Sequence, residues 1–309
     1  MRGRSLACAA GESHKAGVDI TRERIRDGLT RARYLTTEAV ETVLFLALSL
    51  EKPLLIEGPA GAGKTEIGKV LATTLSAELI RLQCYEGLDE AKALYEWNYQ
   101  KQLLRIQADR DQGLSGEEVT QHVFARDFLL ERPLLRAVTT PQRAVLLIDE
   151  IDKADEEFEA FLLELLSDFQ VTIPELGTIR AAHRPVVVLT SNRARELSEA
   201  LKRRCLYLWL DFPGVEKERE IVALKVPDLE ARLHQHVARF VHALRKLDLH
   251  KAPSIAETLD WARALRALQI RELNPSAVRQ TLNLVLKHEE DLRKAEGKLS
   301  ALIGAATKP

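Results

Sequence analysis

An α/β fold with a parallel sheet, followed by a small all-α subdomain, is what this sequence predicts, and three observations carry that reading. Short apolar runs at 53–57, 79–83, 144–148 and 185–189 alternate with stretches of helical periodicity, the order that builds a parallel sheet between two layers of helices. A glycine-rich turn, Gly58-Pro59-Ala60-Gly61-Ala62-Gly63-Lys64-Thr65, stands between the first run and the next helix. After Phe212-Pro213-Gly214 only helical patterns remain. The expected division is a loose polar tail over 1–20, an αβα sandwich over 21–214 and a helical lid over 215–309.

The 309 residues are 46% hydrophobic and 29% charged, with a formal net charge of −1. That composition belongs to a folded chain able to bury cores, and no overall field draws it to nucleic acid or anionic lipid. The three cysteines, Cys8, Cys84 and Cys205, are widely spaced and fit no metal-ligand pattern. They read as reduced thiols of a cytoplasmic protein. No apolar run reaches the roughly 20 residues of a membrane span, and the apolar stretch after Arg2 and Arg4 is too short for a signal segment.

Each element has a local cause. Thr21 to Leu50 reads as helical, with Val40, Val43, Leu44, Ala47 and Leu48 on one face. Pro53 to Glu57 and Leu79 to Gln83 read as strands around a helix over Ile67 to Leu75. Ala144 to Ile148 is continuously apolar, as strands covered on both faces are. Glu156 to Phe169 carries Phe158, Phe161, Leu162, Leu165, Leu166 and Phe169 on a helical stripe, and Pro185 to Leu189 is a β-branched strand. In the lid, Leu229, Leu233, Val237, Phe240, Val241 and Leu244 trace one stripe. Ser254 to Glu257 matches a capping box, and Asn274-Pro275 places an N-cap before a first-turn proline.

Four motifs bear chemistry. The glycine-rich turn is a complete G-x-x-x-x-G-K-[ST] phosphate loop. Small residues from Gly58 to Gly63 let backbone N–H groups converge on a phosphate, and Lys64 supplies a point charge. Thr65 offers a hydroxyl to Mg²⁺, and the helix opening at Glu66 turns its positive end to the ligand. The second motif, Leu146-Leu147-Ile148-Asp149-Glu150, ends a strand in two carboxylates. Asp149 is placed to hold the metal, with Thr65, and Glu150 to polarise a water. The third is Thr190-Ser191-Asn192, where Asn192 at a neighbouring strand end can reach the γ-phosphate or the water. In the fourth, Leu201 to Cys205 ends a helix beginning near Arg195. From residues alone, Arg203 and Arg204 fit a helix end that attracts cations as well as an arginine finger. The cofactors that follow are ATP and Mg²⁺.

With these motifs in order the chain resembles an AAA+ ATPase, and within that group the MoxR family, from about Leu29 to about Lys287. The most specific stretches are LLIDEIDKADEEFEAFLLELLSDF (146–169), QCYEGLDEAKALYEWNYQ (83–100) and SIAETLDWARAL (254–265). The latter two resemble the branch linked to maturation of molybdenum-containing, carbon monoxide dehydrogenase-type enzymes. The resemblance implies an ATP-hydrolysing chaperone, a homo-oligomeric (hexameric) ring with nucleotide between subunits, and a partner with a von Willebrand A domain. It implies Asn192 as sensor 1 and Arg204 as the finger, with Arg203 the second choice. Val171 to Ile179 resembles an insert facing the ring pore, where the plain alternative is a surface β-hairpin. Sensor 2 departs from the family pattern, because Pro275 is followed by Ser276, and Arg279, one turn on, is the candidate to take its place at the nucleotide.

Other candidates carry less. His234 and His236 are two residues apart on one helix and so face apart, which speaks against a metal site. Arg193, Arg195, Lys202, Arg203 and Arg204 cluster without the interleaved aromatics that single-strand binding uses. Tyr95, Trp97 and Tyr99 are either a partner surface or, the favoured reading, buried packing. A nucleic-acid motor or loader of the same superfamily, and an ATP-binding assembly switch with little turnover, are the alternatives. Near-neutral charge speaks against the first, and Glu150 with a candidate finger against the second.

Overall fold

The computed structural model describes residues 20–111 and 114–308. The tail expected over 1–20, with Cys8, lies outside the described residues except for Ile20. Two helices, α1 (Arg22–Arg31) and α2 (Glu38–Ser49), precede β1 (Leu54–Glu57), and α3 (Lys64–Leu75) leads into β2 (Glu78–Gln83). An excursion follows, with α4 (Glu90–Ala93), β3 (Tyr95–Trp97), α5 (Tyr99–Asp111), α6 (Gly116–Val123) and β4 (Leu129–Glu131), before α7 (Pro133–Thr139) returns the chain to β5 (Ala144–Asp149). Next come α8 (Glu156–Asp168), the strands β6 (Gln170–Ile173) and β7 (Gly177–Arg180), then β8 (Val186–Ser191), α9 (Glu199–Arg204) and β9 (Leu206–Trp209). The remainder is helical: α10 (Val215–Lys225), α11 (Ala231–Arg245), α12 (Ile255–Ala267), α13 (Pro275–Thr281), α14 (Glu289–Gly297) and α15 (Leu299–Thr307), with one short 3₁₀ turn at Leu282–Leu284.

The central sheet has the order β2-β5-β8-β1-β9, and every pairing in it is parallel. Because side chains alternate across a strand, β5 feeds two cores. Leu146 and Ile148 pack with Leu134 and Leu162 on the α7–α8 side, whereas Val145 and Leu147 pack with Ile67 and Leu71 on the α1–α3 side. All six β5 residues are buried. The lid has its own core around Trp261 and Phe240, whose ring centroids lie 5.0 Å apart. Beside that core Arg245 donates two bonds to Glu218, at 2.5 and 2.8 Å.

Several expectations need correction. The stretch Thr21 to Leu50 is two helices, because Arg33 takes a left-handed φ of 53° and Thr37 then caps α2 afresh. The helix expected from Arg195 begins only at Glu199, where the Ser198 hydroxyl caps it. Strand β9 has no separate sign in the sequence, since Leu206–Trp209 follows a helix directly and mixes apolar residues with Tyr207. Residues 170–180 form an antiparallel hairpin, β6 with β7. Tyr95 to Tyr99 divides: Trp97 is buried, and Tyr99 is 64% exposed.

Candidate nucleotide site

The phosphate loop spans the ends of β1 and α3. Two of its glycines are required by close approach. A Cβ on Gly58 would lie 1.9 Å from the Leu210 carbonyl oxygen, and one on Gly61 would lie 2.1 Å from the Ser254 Cβ, with φ already at +78°. The second contact comes from the lid, where Ile255 N also donates to the Gly61 oxygen at 3.2 Å. Lid and loop are therefore in direct contact.

Lys64 opens α3 and is buried. Its ammonium donates to the Gly58 and Pro59 carbonyls, both at 2.8 Å, and to Asn192 Oδ1 at 2.7 Å. Burial pulls its pKa below the ordinary lysine value, and the charges of Asp152, Asp149, Glu150 and Glu57 oppose that fall. Asn192 reaches the lysine from the end of β8, so the sequence-distant motifs meet here. Glu66, exposed in the first turn of α3, pairs with Lys69 at 2.6 Å.

Asp149 ends β5, 3% exposed. Its Oδ1 accepts from Thr65 Oγ1 at 2.9 Å and Thr190 Oγ1 at 2.5 Å, and its Oδ2 accepts from Arg81 Nη2 at 2.5 Å. A hydroxyl and a carboxylate oxygen so close, both at the loop mouth, are hard oxygen donors that suit a Mg²⁺ retaining several waters.

Glu150 follows with φ +57°, a conformation uncommon for a residue with a side chain. Its N–H donates to Thr190 Oγ1 at 3.0 Å. The carboxylate is held by three groups: Lys153 Nζ at 2.5 Å, Gln83 Nε2 at 3.1 Å and, more weakly, Asn192 Nδ2 at 3.4 Å. Asp152 ties the two strand ends together, since its Oδ2 accepts from the N–H groups of Asn192 (3.1 Å) and Ala194 (2.9 Å) around Arg193, whose φ is +59°. These groups frame a cleft of about 160 Å³ lined by Gly61, Lys64, Thr65, Asp149, Glu150 and Asn192.

Beside the loop lies a second, apolar cleft of about 390 Å³, walled by Tyr34, Leu35, Val40, Ala62, Pro213 and Ile221. Tyr34 Oη points to the Gly63 carbonyl at 3.5 Å, and burial raises its pKa. The walls come from the α1–α2 link, the phosphate loop and the link into α10. No local signal joins such distant segments, and sequence reasoning missed this cleft. It also missed Arg81 and Gln83. They alternate along β2, the strand registered directly against β5 (Gln83 opposite Asp149), and that register is the signal that could have found them.

The remaining candidates stand elsewhere. Arg204, at the end of α9, donates to Ser167 Oγ at 2.6 Å and to the Ala200 carbonyl at 2.9 Å, turned toward α8. Arg203 is exposed. Neither lines the cleft. Arg279 is exposed on α13 and is not among the lining residues either. Among the described residues no group of three or more His, Cys, Asp or Glu side chains is placed to hold a metal.

Residues 53–205 match the model of the AAA domain, dynein-related subfamily. This segment is similar to an AAA domain. With its parallel five-stranded sheet and helical C-terminal part, the chain has the AAA+ P-loop NTPase fold. An uncharacterized protein of Staphylococcus epidermidis is 25% identical over 260 residues, 82% of this chain and 90% of that one. The denitrification regulatory protein NirQ of Stutzerimonas stutzeri is 24% identical over 213 residues, 67% and 68% of the two chains. The gas vesicle ATPase GvpN of Haloferax mediterranei is 26% identical over 233 residues, 70% and 64%. Among solved structures, a Thermotoga maritima RuvB variant superposes with a TM-score of 0.48 at 18% identity, covering 92% of this chain and 82% of that one. Among the described residues no helix is long and apolar enough to cross a membrane.

Proposed function

We propose that this AAA domain hydrolyses ATP with Mg²⁺, and that the chain works as a MoxR-type chaperone in a homo-oligomeric, hexameric ring. The observation that supports hydrolysis most is the meeting of Lys64, Asn192 and Glu150 within hydrogen-bond reach, next to the Thr65–Asp149 pair. Each group has a task. Lys64 and the loop N–H groups bind the phosphates, and Asn192 orients the γ-phosphate and the attacking water. Glu150 orients that water and accepts its proton. Thr65 and Asp149 would hold Mg²⁺, which when bound draws charge from the phosphates. The apolar cleft at Tyr34 and Ile221 suits the adenine base. Lid contact at Gly61 lets the helical part respond to what the loop binds.

Arg204 is turned away from its own chain's cleft, which fits a finger serving a neighbouring subunit. Steady-state turnover measured against protein concentration tests this. Specific activity should rise with concentration and fall by about 10³-fold or more in Arg204→Ala. Turnover that is flat with concentration and unaffected in Arg204→Ala would remove both ring and finger.

For the client, the stretches at 83–100 and 254–265 support a molybdenum-containing dehydrogenase served with a von Willebrand A-domain adaptor. The relatives' own described roles, denitrification regulation and gas vesicle ATPase, differ from one another, so the support rests on those stretches. Adding the ATPase and adaptor to an immature molybdenum dehydrogenase should raise its activity. No change in that activity would count against this client.

A further inference from the structure

Two excursions from the central sheet, the α4–β3 segment after β2 and the β6–β7 hairpin after α8, meet at a cleft of about 400 Å³ that shares no lining residue with the nucleotide cleft. Its apolar wall is aromatic. Tyr95 and Trp97 pack edge to face, with centroids 6.1 Å apart, and Tyr99 leaves most of its ring open to solvent. Its rim is acidic. Glu90 at the start of α4, Glu96 on β3 and Glu175 at the hairpin tip all line it. The carboxylates of Glu175 and Glu90 are near enough to add to the burial that raises the Tyr95 pKa.

Two cations adjoining lining or neighbouring acidic residues are already engaged. Arg132 pairs with Glu96 at 2.5 Å, and Lys92 pairs with Asp89 at 2.9 Å. Among the described residues Glu90 and Glu175 make no ion pair, so two carboxylates face an aromatic cleft uncompensated.

The sign and spread of these groups select the occupant. Phosphate-bearing partners, nucleic acid or anionic lipid, are repelled. The carboxylates form no cluster fit to hold a metal ion. A guanidinium or ammonium on an aliphatic stem matches the cleft on both counts: it stacks on Tyr or Trp faces and ion-pairs at the rim. We propose that this cleft binds an arginine- or lysine-bearing segment of a protein partner, with Tyr95, Trp97 and Tyr99 as its floor and Glu90 and Glu175 as its charge clamp. The proposal rests on the reading that the chain acts on a protein, but binding is measured without nucleotide, so the two can fail separately.

The probe is a fluorescein-labelled dodecapeptide with arginine at alternate positions among alanine and leucine. Its control is the same peptide with glutamate in place of arginine. Fluorescence anisotropy with the full chain should show the arginine peptide binding and the glutamate peptide not binding. Glu90→Gln with Glu175→Gln should weaken binding about tenfold, and Tyr99→Ala by several-fold. Raising NaCl to about 1 M should weaken it further in the wild type. ATP turnover, which uses none of these residues, should be unchanged in both variants and so report their folding. Undiminished binding in the double variant, equal binding of the glutamate peptide, or no binding of the arginine peptide overturns the proposal.

Discussion

Lys64 is held at three points: its ammonium sits on two loop carbonyls and on Asn192. Removing it should abolish nucleotide binding, whereas removing Asn192 should slow turnover and leave binding within a few-fold, as read by nucleotide affinity beside kcat. Gly61 is held by geometry rather than chemistry. In Gly61→Ala the new methyl meets Ser254 and the left-handed φ resists any side chain. That variant should lose more than about 1 kcal/mol of stability together with nucleotide affinity. Gly116→Ala, with open space around it, should leave both affinity and turnover as in the wild type. The described thiols give a third check. Burial pushes Cys84 and Cys205 up to about 12, so at pH 8 both are protonated and poorly nucleophilic. Iodoacetamide followed by site-resolved mass spectrometry should label them only after unfolding.

At the scale of elements, the lid depends on a few buried groups. Glu218 is fully buried, accepts two bonds from Arg245 and one from Thr258, and has no access to water. Glu218→Ala leaves the Arg245 charge buried and unpaired, which should cost about 3–5 kcal/mol in a denaturant titration. The elements most legible in the sequence were those whose cause is local. The continuous apolar run of β5, the capping box at Ser254 and the Asn274-Pro275 start of α13 each form where their residues require. The break between α1 and α2 was not legible, because Arg33 is not a residue that marks a left-handed turn. Strand β9 was hidden because it is an edge strand, held by backbone pairing to β1 rather than by an apolar pattern of its own.

At the scale of the whole molecule, the candidate site residues that meet at the loop were legible because a phosphate loop constrains residue type at fixed spacing. Their supports were not, since Arg81, Gln83 and Asp152 gain their positions only from the order in which the sheet sets its strands. The apolar cleft at Tyr34 was invisible for the same reason: it needs three distant segments to meet. The lid rests Ser254 and Ile255 on the loop, so lid position is expected to depend on what the loop binds. The central claim is that Glu150, held at the end of β5, orients and deprotonates the water that attacks a nucleotide bound at Lys64. It is tested most directly by comparing wild type with Glu150→Gln for ATP binding and turnover in the same preparation. Affinity that stays within a few-fold while turnover falls by about 10²-fold or more is the expected result. Equal turnover in the two proteins would contradict the account.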